Sequence, residues 1–304
     1  MIGQRVQAAA VVLFVLVIAG VIVVLLQRTE RSSPVAQSPS AEPSDGSGTS
    51  AEGPVGRLVL SSGTGNVVLR YRSGSCTAPG GPKLELSKNQ GRTFHDLRVP
   101  QVGEGTGVGL SAPAIQAIVA ADATSPAKVT VTGADEKCVV RHYATDDGGR
   151  TWTQEKRAVE EWYINPKSGG VVSPTGPTDP GCKNIAVLAP VSDSAAKVFC
   201  SGGPVRSTSD GGALWTAVGQ LENVAGAVFT SALIGYAEVS GSGCDSRIQA
   251  TIDGGTTWVP KGCILDDQLL PGFTGTKKRL IAGGPRGSRI STDDGATWEP
   301  PTMK

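Results

Sequence analysis

The chain has 304 residues, 41 of them Gly and 20 Pro, with 28 Lys and Arg against 27 Asp and Glu and a formal net charge of +1. Basic and acidic residues are interspersed, so the chain lacks the concentrated basic surface of nucleic-acid-binding proteins, and we expect no nucleic acid partner. The many glycines and prolines and the scarcity of long apolar runs indicate short strands joined by turns.

The first element is an uncharged apolar run at 8–26 (AAAVVLFVLVIAGVIVVLL). As a helix it would be long enough to span the ~30 Å hydrocarbon core of a membrane. It predicts an uncleaved transmembrane signal-anchor, with 1–7 as a short cytoplasmic tail and the remaining chain outside the cytoplasm. A cleavable signal peptide is the alternative, although its apolar region is usually shorter and ends in a small-x-small site.

The next segment, 27–54, is rich in Ser, Pro and Gly and has almost no large apolar residues. Such a composition cannot bury enough surface to fold, so it predicts a disordered linker. All six cysteines follow this linker, and an even number in an exported domain indicates three disulfides. An excess of Arg over Lys with abundant Ala, Gly and Val favours a bacterial source. We therefore expect a single-pass cell-membrane protein whose folded part lies outside the cytoplasm.

The spacing of the cysteines predicts how they pair. Two pairs are placed symmetrically about turns, where opposed strand residues come within disulfide distance, and the remaining pair follows by elimination. The predicted disulfides are Cys76–Cys138, Cys182–Cys200 and Cys244–Cys263.

One octad with the pattern S/T-x-D/N-x-G-x-T-W/F recurs five times after the linker. Four of the five tryptophans of the chain occupy its last position. The acidic or amide residue and the aromatic residue of each copy are Asn89 and Phe94, Asp147 and Trp152, Asp210 and Trp215, Asp253 and Trp258, and Asp293 and Trp298.

The octad is typical of a hairpin turn. Its Asp or Asn oxygen can accept backbone N–H groups, and its Gly can supply a positive φ. The aromatic ring can pack between neighbouring sheets, so we expect the four tryptophans to be largely buried. A calcium site is the alternative, but the turn lacks the alternating acidic ligands and distal Glu of an EF-hand loop. We therefore interpret the octads as structural and expect no metal or cofactor.

These octads are Asp boxes, and over roughly 55–304 the chain resembles the Asp-box (BNR-repeat) propellers. That group includes sialidases, sortilin-type receptors and the photosystem II stability/assembly-factor family. The resemblance implies an all-β propeller of five blades, or of six if one longer unit hides another. The expected blades are 55–102, 103–158, 159–220, 221–264 and 265–304, with 57–61 completing the last blade as a closing strand.

The sialidase relatives raise the possibility of catalysis, since that family uses an arginine triad, a Tyr nucleophile with a Glu base, and an Asp acid/base. The nearest match to its first arginine motif is Leu97-Arg98-Val99-Pro100, which follows the first box and lacks the aromatic residue. We interpret it as the strand after the turn. The prediction is a non-catalytic, membrane-anchored binding or assembly scaffold for a protein or glycan, with a glycoside hydrolase as the alternative.

A candidate partner-binding segment lies in the third unit: Glu160, Glu161, Trp162 and Tyr163. Trp162 is the one tryptophan outside the repeat position, and Trp and Tyr are enriched at binding hot spots. The segment is predicted to belong to a long connection running to Cys182. Alternatively, Trp162 fills the gap between the second and third blades. Exposure of its ring separates these two hypotheses.

Overall fold

The structure is a computed structural model that describes residues 58–63, 66–74, 76, 82–100, 115–155, 161–241, 243–265, 272–277, 279–284 and 287–300. The predicted tail 1–7, transmembrane segment 8–26 and linker 27–54 lie outside these residues. Across the described ranges the chain forms strands and turns, and no helix there is long and apolar enough to cross a membrane.

The described strands form six antiparallel sheets, and each sheet is one blade of a propeller. Blade 1 contains β1 (Leu58–Ser62), β2 (Val68–Arg72), β3 (Leu84–Ser87) and β4 (His95–Leu97). Blade 2 contains β5 (Ala117–Ala123), β6 (Val129–Ala134), β7 (Val140–Thr145) and β8 (Thr153–Glu155). Blade 3 contains β9 (Tyr163–Ile164), β10 (Val171–Ser173) and β11 (Gly176–Thr178).

The remaining blades continue in chain order. Blade 4 contains β12 (Ile185–Pro190), β13 (Ala196–Cys200), β14 (Pro204–Thr208) and β15 (Thr216–Gln220). Blade 5 contains β16 (Val224–Phe229), β17 (Gly235–Gly241), β18 (Cys244–Thr251) and β19 (Val259–Ile264). Blade 6 contains β20 (Gly272–Thr276), β21 (Arg279–Gly284) and β22 (Gly287–Ser291).

The prediction of five blades was wrong, because the unit 159–220 contains two sheets. What was expected to be a long connection to Cys182 is blade 3. Its turn between β10 and β11 has the polar contacts of a reduced Asp box: Ser173 Oγ lies 2.9 Å from Thr175 Oγ1 and accepts the Thr175 backbone N–H. Since Thr175 occupies the place of the Asp, the sequence pattern did not reveal this turn.

Blade 3 has three strands among the described residues. Comparison with the neighbouring blades shows which strands of a four-stranded blade they correspond to. Thr178 of β11 donates a hydrogen bond to the carbonyl of Gly212 in the next blade's box. Fourth strands elsewhere approach the corresponding position of the next box, as where the backbone of Gly219 of β15 lies close to the Gly255 carbonyl. Strand β11 is therefore the fourth-strand equivalent. Strand β9 corresponds to a second strand, yet it is the innermost described strand of its blade.

The ring closes between blades 6 and 1, but not as predicted. The closing-strand prediction for 57–61 was wrong, since β1 is the innermost strand of blade 1 and pairs with β2. Blade 6 receives its fourth strand from the C-terminal segment, through a single bridge between Ile290 and Glu299. The prolines that follow Glu299 lack an N–H and limit further pairing.

The core lies between adjacent blades, where the faces of neighbouring sheets meet. One cluster joins blades 1 and 2 and includes Leu69, Leu84, Ile118 and Val131. Other clusters join blades 3 and 4, 4 and 5, and 5 and 6. Leu60, Val68 and Ile281 join blade 1 to blade 6.

The five predicted Asp boxes form one shared turn geometry, as blade 5 illustrates. Thr251 Oγ1 donates to Asp253 Oδ1 over 2.7 Å and accepts the Gly255 N–H over 2.9 Å. Asp253 Oδ1 in turn accepts the backbone N–H of Thr257 at 2.9 Å. Positions four and five, here Gly254 and Gly255, both have positive φ, of 76° and 98°. The sequence predicted this conformation at position five only.

The expected burial of the box tryptophans holds fully for Trp152 alone, which is 2% exposed. Trp215, Trp258 and Trp298 are half-buried. Their rings pack on apolar neighbours, and the Trp258 centroid lies 5.8 Å from that of Phe199 in the preceding blade. Each of these three residues stays partly exposed and directly follows the exposed turn of its box.

The three predicted disulfides are present, with Cα–Cα distances of 5.3 Å for Cys76–Cys138, 5.5 Å for Cys182–Cys200 and 5.8 Å for Cys244–Cys263. The expectation that the paired residues directly oppose each other was wrong: Cys200 is paired in register with Ile185, and Cys263 with Arg247. Three disulfides fit an oxidising, extracellular location.

Candidate functional site

The predicted partner-binding segment divides into a buried anchor and two residues that face a cavity. Trp162 is 6% exposed, and its ring packs edge-on against Trp215 with centroids 5.9 Å apart. Its Nε1 donates to the Ser192 carbonyl over 2.8 Å. The ring therefore fills the gap between blades 3 and 4, rather than between blades 2 and 3. Glu160 lies outside the described residues.

The residues on either side of Trp162 line the central channel of the propeller. Trp162 also borders this cavity, and its ring, fixed in the core, limits the positions that the adjacent Glu161 and Tyr163 can take. Both are half-buried. The anchor in the core thus sets the position of two polar groups at the channel wall.

The channel is a cavity of about 850 Å³ bounded by the inner strands of all six blades. Much of its wall consists of partly exposed small and branched aliphatic side chains, such as Val59, Val119, Val187 and Val228. Ligand pockets in proteins are typically ~300–1,000 Å³ and mostly apolar, with a few placed polar groups. The size and composition of the channel suit a ligand segment rather than a single ion.

Glu161 ends a chain of hydrogen bonds that begins in blade 2. Thr132 Oγ1 donates to Glu161 Oε2 over 2.7 Å. Since the single Thr132 hydroxyl proton is used there, its contact of 2.8 Å with His142 Nδ1 requires that nitrogen to donate. Burial lowers the pKa of His142, and burial raises the pKa of Glu161. His142 thereby helps to position a channel carboxylate.

Two further polar residues of the channel, Tyr71 and Asp122, were missed by sequence reasoning. Asp122 is exposed on the inner strand β5, where its Oδ1 accepts a hydrogen bond from Ser61 Oγ at 3.2 Å. Tyr71 is buried on β2, and burial followed by the negative charge of Glu161 raises the pKa of its hydroxyl. Asp122 is the one charged residue of the otherwise apolar strand β5, and this was the available signal for it.

The segment Leu97 to Pro100, which was compared with the first arginine motif of sialidases, makes structural contacts. Leu97 ends strand β4, and the carbonyl of Arg98 accepts the Trp152 Nε1–H at 3.0 Å. This places the segment as the strand after the turn, packed on the next blade. Arg70, another arginine near the inner strands, is buried in a two-bond ion pair with Glu85.

Across the described ranges no group of three or more His, Cys, Asp or Glu side chains is arranged to hold a metal ion. The box carboxylates instead accept hydrogen bonds from their own turns. In blade 2, Asp147 accepts the Thr151 N–H at 3.0 Å and the Thr151 hydroxyl at 2.7 Å. These bonds hold the pKa of Asp147 well below its usual range.

No protein-family model matches the chain, and no curated protein matches its sequence. Solved structures do match over most of it. YCF48 bound to a D1 peptide is 15% identical over 81% of this chain and 67% of that chain, with a TM-score of 0.30. A Hadza microbial sialidase is 12% identical over 74% and 62%, with a TM-score of 0.46. The GH74 xyloglucanase from Xanthomonas campestris is 12% identical over 80% and 37%, with a TM-score of 0.30.

The chain spans less than two thirds of the sialidase and of the xyloglucanase. At these identities and TM-scores the matches say nothing of this chain's activity or partner. Its assignment as an Asp-box propeller rests on its own six sheets and on the geometry of its boxes.

Proposed function

We propose that this chain is a non-catalytic binding protein, acting outside the cytoplasm, that holds a segment of a partner molecule in the central channel of its propeller. The observation that carries the proposal is the 850 Å³ channel, whose wall includes Glu161 and Tyr163 on either side of the Trp162 anchor. A protein segment is favoured over a glycan, because the wall is mainly aliphatic and offers few aromatic faces of the kind on which sugar rings stack.

The proposal is tested by filling the channel. Ala120 is half-exposed on the inner strand β5, in the same wall as Asp122. Ala120→Trp would place a large ring in the cavity, whereas Ala217→Trp makes the same change at an exposed position of the outer strand β15. The purified full-length chain and both variants are applied to an array of immobilised hexapeptides and to a glycan array.

We expect Ala120→Trp to weaken binding to the captured peptides by at least about tenfold, and Ala217→Trp to leave it unchanged. Thermal melting establishes that both variants are folded. If Ala120→Trp is unfolded, Ala225→Trp introduces the same ring from blade 5. Unchanged binding in a folded channel variant would contradict the proposal. Hydrolysis of an arrayed glycan that is lost in Glu161→Gln would contradict its non-catalytic part.

A further inference from the structure

One side of the channel wall carries two carboxylates that lack a cationic partner. Asp122 accepts a hydrogen bond from Ser61, and Glu161 accepts hydrogen bonds from the hydroxyls of Thr132 and Thr130. Within the described part of the chain neither carboxylate forms an ion pair. A partly buried carboxylate without a cation is unfavourable, because it has lost part of its hydration without an opposite charge to replace it.

The two carboxylates also act on each other and on their neighbours. Burial, and after it the charge of Asp122, raises the pKa of Glu161. Burial and then the charge of Glu161 raise the pKa values of the Tyr71 and Tyr163 hydroxyls. Beyond the effect of burial, the charge contributions to these pKa values come from one region of negative potential, in which like charges lie close enough to repel each other.

The charges along the channel wall as a whole are negative on balance. Among the described lining residues, the carboxylates are those of Asp122, Glu161 and Asp193, whereas Lys167 is the one Lys or Arg. Lys167 is exposed in the turn between β9 and β10, which leaves the pair formed by Asp122 and Glu161 uncompensated. A cavity with low-dielectric walls and one sign of charge concentrates ions of the opposite sign.

We propose that the channel selects a peptide segment bearing a lysine or arginine side chain, whose cation binds between Asp122 and Glu161. This inference rests on the proposed function, since it names the ligand chemistry of the same channel. A bound cation replaces the repulsion between the two carboxylates by two charge-assisted hydrogen bonds. The aliphatic stem of such a side chain suits the apolar wall around them.

The test compares side chains that differ in charge at similar length. Five pools of N-acetylated, C-amidated hexapeptides carry random flanking residues and a fixed Lys, norleucine, Arg, citrulline or Glu at the third position. Binding to the full-length chain is measured by fluorescence anisotropy. The double variant Asp122→Asn/Glu161→Gln removes both charges, and its glutamine carbonyl can still accept the Thr132 hydroxyl. Asp146→Asn, at an exposed box position outside the channel, is the matched control.

We expect the Lys and Arg pools to bind about tenfold more tightly than the norleucine and citrulline pools, in the original protein and in Asp146→Asn. In the double variant the preference should fall below about twofold. Equal binding of all pools, no binding by any pool, or a preference that survives in the folded double variant would overturn the inference. If binding shows no charge preference but is abolished by Ala120→Trp, channel binding stands and cation selection falls. If Ala120→Trp leaves binding intact, the proposed function falls.

Discussion

At the scale of single residues, the Asp box divides the N–H groups of a tight turn between two side chains. The hydroxyl of the first residue takes the N–H of the glycine at position five, and the carboxylate of the third takes the N–H of position seven. The hydroxyl lies on the buried side of the turn, whereas the carboxylate faces solvent. Asn89 serves in the first box with the same oxygen contact, 2.9 Å from the Thr93 N–H. A carboxylate charge is therefore not required for the turn.

The buried hydroxyl should contribute more to stability than the exposed one in the same box. Thr251→Val keeps the shape of a side chain that is 2% exposed but leaves the Gly255 N–H without its acceptor. We expect the free energy of unfolding to fall by about 1–3 kcal/mol, the cost of a buried polar group left unsatisfied. Thr257→Val makes the same chemical change at an exposed position, and we expect less than about 1 kcal/mol.

Urea denaturation of the two variants measures both values. Equal losses would show that the hydroxyl at position one has no special role in the turn. Because the substitution is the same, the change in side-chain volume is the same in the two variants.

At the scale of elements, blade 3 is the exception among the six. Its strands are two or three residues long, and its box has a hydroxyl where the others have a carboxylate or an amide. Contacts that tie it to blade 4 include the Trp162 ring packed on Trp215 and the hydrogen bond of Trp215 Nε1 to Thr178 Oγ1 at 2.9 Å. A sheet this small cannot bury much apolar surface by itself, so its position depends on these contacts.

Removing the Trp162 ring should therefore destabilise the fold. We expect Trp162→Ala to lower the free energy of unfolding by about 3–5 kcal/mol, as for other buried aromatic residues. Trp162→Phe keeps an aromatic ring but loses the hydrogen bond to Ser192, and we expect a smaller loss of about 1–3 kcal/mol. Chemical denaturation followed by circular dichroism measures both. A Trp162→Ala protein as stable as the original would mean that blade 3 is held mainly by other contacts.

Blade 3 also shows how far sequence could predict this fold and its site. Five boxes with an Asp or Asn and an aromatic residue predicted five blades, because each such turn can be recognised from eight consecutive residues of the sequence. The sixth turn, Ser173-Pro174-Thr175, has similar contacts without either marker residue. The channel was harder to predict, since Glu161 and Asp122 are brought together by packing between blades. The predicted segment, Glu160 to Tyr163, was chosen for its tryptophan, and it supplied Glu161 and Tyr163 but not Asp122 or Tyr71.

At the scale of the whole molecule, the ring of blades is closed by the contacts between the first and last blades. Arg70 of β2 bonds Glu85 twice, at 2.7 and 2.8 Å, and donates to the Gly284 carbonyl of blade 6 at 3.0 Å. Its guanidinium also lies 4.0 Å from the centre of the Phe94 ring. The planar, multiply donating guanidinium suits such a junction better than an ammonium group. A buried arginine thus bridges the first and last blades, whereas a closing strand from the start of the propeller was expected to complete the last blade.

Replacing Arg70 should weaken the entire fold. In Arg70→Met the buried Glu85 retains only Lys83, whose Nζ lies 2.9 Å away on the exposed side. We expect a loss of about 3–5 kcal/mol, typical of removing one partner from a buried ion pair. In the double variant Arg70→Met/Glu85→Leu the lone charge is gone, and part of the stability should return.

Denaturant unfolding of the two variants tests this prediction. If the double variant is no more stable than Arg70→Met, the loss arises from packing and from the Gly284 contact rather than from an unpaired carboxylate.

The short third blade has a consequence for how a guest could sit in the channel. Six identical blades would present the same wall at every 60° turn, so a bound chain would have six equivalent orientations. Blade 3 presents a second-strand equivalent and a polar turn where the others present a first strand, and it stands beside the blade that carries Asp122. The pore is therefore rotationally unique. A ligand that enters the channel can therefore be held in a single orientation about the channel axis. Its two ends would then leave the channel beside particular blades.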